Sequence, residues 1–527
     1  MIRPLIIAAC LAIQLAPALA ADDLKPGKRV GRLPAISFEV AELSATERPG
    51  ATHVKVKLSK PAKRDLRVPF TVGGTATRDE DYTLSQDSIL IPKGRSSVTI
   101  LVDIIEDDDS GDDREFIELT LNPPPGLAIT GSFGRVRIKV LNPKLGDPIN
   151  GLTPAQFASF KRGEKVFNKR FSPEEGLGPF YNATSCASCH STPVPGGGSG
   201  LYRNFYLAVY QFGPTPASQS SSIPPFLSQV VPAYGSGAEH TTTTEFTLEG
   251  GRPLLPETVF GSFPVLSAQR NSIPVFGVGL FENISDSTIL SNADPSDTNG
   301  DGISGVANTS LTGTAIGRLG LKAQANNIEL FTRGPLQNQM GVTTDPFDGL
   351  SGIASMARSP LLQVAADPND PTTDADPVPD PEMNSQDLGD LIAFGKFLAP
   401  PPPPKFDQDG LAGRVLFRQV RCNDCHIPSL PSSRGPVNAY TDLLLHDMGP
   451  ALADNIQLGE VPESIAEFRT QPLWGISNFG PYLHDGRAAT LESAILLHGG
   501  EAETSRDLYI ALSPSDQSDL LAFLEQL

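Results

Sequence analysis

Short segments in which apolar and polar residues alternate follow one another along the first 145 residues of the chain. In HVKVKLSK the apolar residues alternate with polar ones, and in SVTILVDII every second position from Val98 to Ile104 is apolar. A period of two places the apolar side chains on one face of a β-strand. Because ISFEVAEL, RVPFTVGG, EFIELTL and RVRIKV belong to the same region, we predict a sandwich of about seven strands over residues 30–142.

A helical pattern replaces the alternation after residue 150. The segment LTPAQFASFKRGEKVFNKR opens with Thr153, Pro154 and Gln156, which predict a helix start with a capping box. Three phenylalanines are predicted to mark one face of this helix: Phe157, Phe160 and Phe167.

The same plan then occurs a second time. Gly413 and Phe417 in DGLAGRVLFRQV stand in the same relation as Gly163 and Phe167. Each half closes with an apolar helix, SQDLGDLIAFGKFLAP and SPSDQSDLLAFLEQL, and the second has a Ser-Pro start signal. The prolines at 400–404 predict a stiff linker over 400–405, which separates a first unit, 150–399, from a second, 406–527.

The first twenty residues, MIRPLIIAACLAIQLAPALA, read as a secretory signal peptide cleaved near Ala20. A lipoprotein signal at Cys10 is the alternative, with a shorter apolar region. We therefore expect a periplasmic or secreted protein. No later stretch reaches the ~18 apolar residues of a membrane helix, so we expect no transmembrane anchor. The net charge of -19 argues against a nucleic-acid partner and fits cation binding, a basic partner or plain solubility.

The cysteines supply the candidate chemistry. Beyond the signal peptide, four remain, all in the CxxCH segments CASCH and CNDCH: Cys186, Cys189, Cys422 and Cys425. At this spacing two thiols can bond the vinyl groups of one porphyrin, while the next residue, His190 or His426, reaches the iron. Zinc sites, redox pairs and disulfides are the alternatives. The twofold pattern favours two covalently bound c-type haems.

Helix, CxxCH, insertion and closing helix form the plan of a cytochrome c domain. The predicted fold class is therefore multidomain. An N-terminal all-β sandwich is followed by two mainly α cytochrome c-like haem domains with long loop insertions.

The segment DPSDTNGDGISG is a candidate calcium loop. Three side chains take positions 1, 3 and 5 of such a loop: Asp297, Asn299 and Asp301. Ile303 would add its carbonyl oxygen. Position 12 holds Asn308 instead of the glutamate of an EF-hand, so Asp294 or another acid would complete the shell. An Asx-rich turn is the alternative.

The segments GTATRDEDYT and SILIPKGRSSVTILVDIIEDDDSGDDREFIELTL resemble the Calx-beta domain over residues 30–142. In that family, acidic loops bind calcium, and solvated acidic loops are the alternative. The resemblance implies that the domain binds calcium or another protein. It points to these acids: Asp81, Asp107, Asp108, Asp109, Asp112 and Asp113.

The region 150–527 resembles the bacterial di-haem oxidoreductases, which are grouped with di-haem cytochrome c peroxidases and MauG-like enzymes. Six segments carry the resemblance: GLGPFYNATSCASCH, DTNGDGISG, LLLHDMGP, FRTQPLWG, PYLHDGRA and AILLHGGEAETSRD. It implies a periplasmic protein in which one haem passes electrons and the other meets a peroxide or substrate. The partner would be a redox protein or a small-molecule oxidant.

The resemblance also implies roles for single residues. His190 and His426 would be the proximal iron ligands. His498 stands where related peroxidases carry a methionine ligand, so it would be the sixth ligand of the second haem, and a helix-capping loop histidine is the alternative. His446 and His484 would lie near a propionate or the calcium.

The first haem is less well specified. RLGLKAQANNIELFTRGPLQNQMGVT resembles the segment over the peroxidatic haem, but Gln339 stands where relatives carry an acid. Glu329 is a possible substitute for that acid. Leu321 stands where relatives often carry tryptophan, which weakens a peroxidase assignment. Met340 would be either an iron ligand or a core residue. Trp474 would relay electrons or simply pack.

Two functions follow from these observations. The first is an enzyme, a di-haem oxidoreductase that transfers electrons between its haems and oxidises a substrate at the first. The second is a non-catalytic electron carrier with a calcium-dependent adhesion domain.

Overall fold

A computed structural model describes residues 33–47, 51–105, 115–178, 180–214, 219–220, 230–235, 248–249, 252–253, 257–259, 262–309, 315–345, 376–456 and 465–527. The expected signal peptide lies outside these described residues, as do five of the candidate calcium ligands: Asp107, Asp108, Asp109, Asp112 and Asp113. Of the helices in the described part of the chain, none combines the length and apolar character that a membrane crossing requires.

The N-terminal region is an all-β sandwich. Its strands are β1 (Ala35–Phe38), β2 (Glu42–Thr46), β3 (Ala51–Leu58), β4 (Leu66–Gly74), β5 (Tyr82–Leu84), β6 (Ser88–Ile91), β7 (Ser97–Ile104), β8 (Phe116–Leu121), β9 (Ile129–Thr130) and β10 (Arg135–Leu141). They form two five-stranded sheets in the orders β5-β7-β3-β1-β9 and β2-β10-β8-β4-β6.

The alternation predicted from the sequence matches the burial of these strands. Val54 and Val56 on β3 are fully buried while Lys55 and Lys57 are exposed. Burying one such side chain contributes about 1.5–3 kcal/mol. The prediction of seven strands was too low, because the described residues of the sandwich contain ten. One reason is that ISFEVAEL, read as one strand, crosses between the sheets and forms both β1 and β2.

Hydrogen bonds on both sides hold the connection between the sandwich and the next region. Thr46 N donates to Asn150 Oδ1 (2.9 Å), and Asn150 Nδ2 donates to Thr46 O (2.7 Å). Just before Asn150 in the chain, Ile149 N donates to Phe397 O (2.8 Å), and Asp147 O accepts from Ala399 N (2.9 Å). The chain is therefore bonded both to the sandwich and to the helical region.

Residues beyond 150 form a largely helical region. Its helices are α1 (Pro154–Asn168), α2 (Asp286–Leu290), α3 (Ile328–Met340), α4 (Ser385–Phe397), α5 (Gln408–Gln419), α6 (Leu491–Leu497), α7 (Glu503–Ile510) and α8 (Pro514–Gln526). The predicted starts of α1 and α8 are confirmed: α1 has the Thr153–Gln156 capping box, and Ser513 caps α8.

The predicted apolar face of α1 was partly wrong. Phe160 and Phe167 are buried, but Phe157 is 49% exposed. At 100° per residue, Phe157 lies about 60° away from Phe160 around the helix, while Phe160 and Phe167 nearly coincide. Phe157 also lies in the first turn of the helix.

Two helix pairs cross in the same way, α1 with α4 and α5 with α8. A Cβ atom on Gly163 would lie 1.9 Å from Asp390 O, and one on Gly413 would lie 1.9 Å from Asp519 O. Phe167 packs on Phe394 beside the first crossing, with ring centroids 4.8 Å apart. Phe417 packs on Phe523 beside the second, at 5.2 Å. Both predicted repeats therefore share one packing arrangement.

Strands that the sequence did not predict lie within the helical region. They are β11 (Phe180–Tyr181), β12 (Phe205–Gln211), β13 (Gln219–Ser220), β14 (Val230–Val231), β15 (Tyr234–Gly235), β16 (Leu248–Glu249), β17 (Arg252–Pro253), β18 (Thr258–Val259), β19 (Phe263–Arg270), β20 (Leu445–Asp447) and β21 (Glu467–Arg469). The long strands β12 and β19 pair as the centre of a five-stranded sheet. The proline segment at 400–404 packs against the protein, with Pro400 against Gly277 and Pro401 against Gly475.

Candidate functional site

The second CxxCH segment forms a tight turn directly after α5. Arg421 adopts a left-handed conformation (φ 65°) and ends the helix, and a 3-10 turn follows at Cys422–Asp424. His426 N then donates to Cys422 O (3.0 Å). The turn is the local reason why both thiols and the imidazole come together.

The ring of His426 is held in one orientation. Its Nδ1 lies 2.9 Å from Tyr440 O and is the donor in the neutral tautomer, which leaves Nε2 available to a metal. Burial lowers the pKa of His426 to about 4. The imidazole is therefore neutral near pH 7, which is the form that binds metals.

A large, mostly apolar cavity adjoins this turn. It encloses about 1850 Å³ of space free of protein atoms, its open mouth included, and its walls include Cys422, Cys425 and His426. His498, at the end of α6, lies on the wall of the same cavity. Its Nδ1 lies 2.7 Å from Ala494 O, so its Nε2 is likewise available. Burial lowers the pKa of His498.

These residues fit a haem. Neither described cysteine pair forms a disulfide. Burial raises the pKa of Cys422 to about 12, so its thiol stays protonated and resists oxidation. Two thiols for the vinyl groups, one neutral imidazole for the iron and a wide apolar space suit a porphyrin bonded through its vinyl groups, and His498 offers a second imidazole.

The first CxxCH segment repeats this geometry. Ser185 caps a 3-10 turn at Cys186–Ser188. His190 is held through Nδ1, 3.2 Å from Gly197 O, and burial lowers its pKa. Burial also raises the pKa of Cys186 to about 12. Both segments thus present paired thiols beside a neutral, oriented imidazole.

The side chains predicted to act at the first haem are already engaged. Gln339 Oε1 accepts a hydrogen bond from Asn182 Nδ2 (3.0 Å). Glu329 pairs with Arg333 (2.8 Å), and its side chain is 39% exposed. Met340 is buried in an apolar cluster against which Cys186 packs.

Sequence reasoning overlooked Gln337 on the same helix. Its side chain is fully buried, and neither amide atom has a hydrogen-bond partner among the described residues. It lies only two residues before Gln339, but no sequence signal distinguishes the two glutamines.

His446 lies between two carboxylates that the sequence analysis missed. Its Nε2 is 2.8 Å from Asp442 Oδ2, and its Nδ1 is 2.7 Å from Glu501 Oε2. Burial opposes its charge, but the hydrogen bonds that the ring makes to Asp442, Cys425 and Glu501 outweigh burial and place the pKa of His446 well above its ordinary value. A protonated imidazole cannot bind iron. His446 instead lies beside Cys425, with Nδ1 3.7 Å from the sulfur.

His484 and Trp474 also line the cavity. His484 stacks on Phe468, with ring centroids 4.1 Å apart, and burial followed by the charge of Arg270 lowers its pKa to about 4. Trp474 stacks on Phe281 at 5.6 Å. Both are placed against the second site.

The candidate calcium loop is closed by its own hydrogen bonds. Asp301 N donates to Asn299 Oδ1 (2.9 Å), and Ile303 N donates to Asp301 Oδ1 (2.9 Å). Across the described ranges, no group of three or more His, Cys, Asp or Glu side chains is arranged to hold a metal ion. In the sandwich, Asp81 is buried and accepts a hydrogen bond from Thr77 N. Calcium binding stays a prediction at both places.

Comparison with family models gives two matches. Residues 262–527 match the family described as "Di-haem oxidoreductase, putative peroxidase", and residues 32–128 match the Calx-beta domain. The first match contains the second CxxCH segment and His498 but begins after the first CxxCH segment. The N-terminal sandwich is therefore a Calx-beta domain.

Two similar curated proteins are both methylamine utilization protein MauG. The one from Methylorubrum extorquens is 32% identical over 130 residues, which is 23% of this chain and 34% of that protein. The one from Methylophilus methylotrophus is 33% identical over 97 residues, 17% of this chain and 29% of that protein. The chain thus matches about a third of each relative or less.

Solved structures with some similarity include the apo form of the Calx CBD1 domain, with 20% identity, 21% of this chain and 100% of that chain covered, and a TM-score of 0.20. Hydrazine synthase of Kuenenia stuttgartiensis, pressurised with xenon, shows 22% identity over 28% of this chain and 56% of that chain, with a TM-score of 0.21.

Proposed function

Because the chain belongs to the di-haem oxidoreductase family, we propose that it is an exported c-type cytochrome that transfers electrons between two covalently bound haems. At the first site, His190 would hold the haem at which a substrate is oxidised in a peroxidase or MauG-like reaction. One observation carries this proposal: two CxxCH turns of the same geometry, one of them beside a cavity that also contains His498.

The haems, when bound, supply one-electron exchange and the activation of peroxide. Cys186 and Cys189 hold the first haem, and Cys422 and Cys425 hold the second. The hydrogen bonds from Nδ1 of His190 and His426 to backbone carbonyls keep Nε2 directed to the metal.

His498 distinguishes the second haem site from the first. If His426 and His498 both held the haem at this site, no position would remain for a substrate, and the site would serve electron transfer. Trp474 lines this site and is the candidate relay toward the first. The electrons come from or go to a redox partner protein or a small-molecule oxidant.

The lack of a proton-transferring side chain among the described candidates limits the rate of peroxide turnover proposed at the first haem. An amide such as that of Gln339 does not readily exchange a proton, and the Glu329 carboxylate is paired with Arg333. We therefore expect slow peroxide turnover. Met340 is either a weak thioether ligand or part of the apolar cluster in which it lies.

The test of the proposed function is the ferric EPR spectrum of the holoprotein. We expect one high-spin signal, from the first haem, and one low-spin signal, from the second. Cyanide should convert only the high-spin signal. If neither iron binds cyanide, the result would favour the alternative function, a non-catalytic electron carrier.

The variant His498→Ala serves as the control for this assignment. It should convert the low-spin signal to high-spin and make the second haem bind cyanide too. A low-spin signal identical to that of the wild type would assign His498 to capping α6 only.

We also propose that the loop at Asp297, Asn299 and Asp301 binds calcium, with the carbonyl of Ile303 as a further ligand. Calcium at a hundredfold excess over its Kd should stabilise the protein by about 2.7 kcal/mol. The melting temperature should therefore rise with calcium in the wild type and rise less in Asp301→Ala.

The exposed Asp409 provides the matched control for this experiment. Asp409→Ala should keep the full calcium effect. An effect of equal size in wild type and Asp301→Ala would exclude the loop and leave the Calx-beta domain, through Asp81 and its acidic loop, as the calcium site. If the calcium effect belongs to the loop alone, we propose that the Calx-beta domain binds a partner protein.

A further inference from the structure

Every buried arginine in the described residues except one pairs with a carboxylate. Four are buried: Arg270, Arg318, Arg333 and Arg469. The first three each pair with a carboxylate: Arg270 with Asp454, Arg318 with Asp286, and Arg333 with Glu329. This is expected, because a buried charge without a counter-charge is costly.

Arg469 is the exception. Its side chain donates from Nε to Gly320 O (2.9 Å), from Nη1 to Thr470 O (3.1 Å) and from Nη2 to Gln471 Oε1 (2.9 Å). All three acceptors are neutral. Within the described part of the chain, no carboxylate lies at ion-pair distance from its guanidinium. Burial lowers the pKa of Arg469 to about 10, and the charge of Asp442, which is beyond ion-pair distance and hydrogen-bonds to His446, opposes this only in part.

The position of Arg469 indicates where its counter-charge belongs. Arg469 and Gln471 line the same cavity as Cys422, Cys425 and His426. β21, which ends at Arg469, pairs with β20, and Arg469 lies opposite Leu445 in this pairing. A guanidinium has five N–H donors, so two remain for a ligand in the cavity.

A haem brings the group that this site lacks. Its two propionate side chains are carboxylates. A guanidinium binds a carboxylate through charge-assisted hydrogen bonds.

We propose that Arg469 binds a propionate of the second haem, and that Gln471 holds the guanidinium in position through Nη2. The assignment rests on the proposed function, since it requires a haem at the second CxxCH segment. The Arg469 charge offsets the propionate charge and so makes the oxidised, more positive haem less favourable. Arg469 therefore raises the midpoint potential of the second haem.

The test is a spectroscopic redox titration of the holoprotein, in which the two haems are followed separately. Arg469→Gln should lower the midpoint potential of the second haem and leave that of the first unchanged. Arg469→Lys keeps the charge and should restore most of the potential. In resonance Raman spectra, both variants should shift the propionate bending band of the second haem.

Arg318→Gln is the matched control, because Arg318 is equally buried and donates to backbone carbonyls but does not line the cavity. It should lower the melting temperature and leave both potentials unchanged.

Three results would overturn the assignment. The first is a midpoint potential of the second haem in Arg469→Gln that equals the wild-type value. The second is a loss of that potential in Arg469→Lys as large as the loss in Arg469→Gln. The third is a propionate band of the second haem that does not shift in Arg469→Lys. If Arg469→Gln does not accumulate as folded protein, the Raman comparison of wild type with Arg469→Lys decides alone. A protein without covalent haem would contradict the proposed function itself, which a mass spectrum shows before any titration.

Discussion

Serine in place of both Cys186 and Cys189 is expected to leave the protein with one covalent haem instead of two. A haem bonded through thioethers stays attached to the protein after denaturation, whereas a haem held only by histidine is released. The measurement is the intact mass of the denatured protein, together with the absorbance of its Soret band. Wild type should carry the mass of two haems, and the variant should lose one haem mass and about half of the band.

The second pair supplies the control. Replacing Cys422 and Cys425 with serine should also remove one haem, but the haem that remains should be the high-spin one. If the wild-type protein were found to carry zinc, or two disulfides and no haem, the assignment of both segments as c-type haem sites would be wrong.

The variant Gly163→Ala is expected to destabilise the protein strongly, against the usual trend. Alanine in a helix is normally more stable than glycine by about 1 kcal/mol. At this crossing, however, the new Cβ would lie 1.9 Å from Asp390 O and 2.9 Å from Phe394 Cβ. Overpacking of this kind costs about 1–3 kcal/mol or more, because α1 and α4 must move apart. The midpoint of chemical denaturation measures the loss.

Gly389 is the matched control, since it lies in α4 of the same unit and a Cβ there would meet no atom of the described neighbouring residues within 4 Å. Gly389→Ala should raise the midpoint slightly. Gly413→Ala should repeat the loss seen with Gly163→Ala, because its Cβ would meet Asp519 O at 1.9 Å. If Gly163→Ala matched Gly389→Ala in stability, the close crossing would be refuted.

Local features of the fold could be predicted from the sequence because local chemistry determines them. The capping box of Thr153 depends on residues three apart, and the alternation around Val54 depends on period two. The CxxCH turns are likewise local. By contrast, the sheet switch within ISFEVAEL and the exposure of Phe157 depend on neighbours that are distant in the sequence.

The same limit applies to the candidate sites. His446 could be selected as a candidate, but its partner Glu501 could not, since it is 55 residues away. Asp442 is only four residues away, but no sequence pattern indicated that it faces the imidazole. Arg469 carries no sequence signal either. Its significance comes from a comparison within the described residues: the other buried arginines each pair with a carboxylate and Arg469 does not, which is a property of the folded chain.

The bonded connection at Asp147–Asn150 has a consequence for how the protein meets a surface. A module on a flexible linker samples many orientations, whereas this connection is fixed on one side to Thr46 and on the other to Phe397 and Ala399. If the Calx-beta domain were held by a partner, these bonds would restrict the orientations that the cavity beside the second CxxCH segment can sample. An electron donor anchored to the same partner would then search fewer orientations before it met the opening of that cavity.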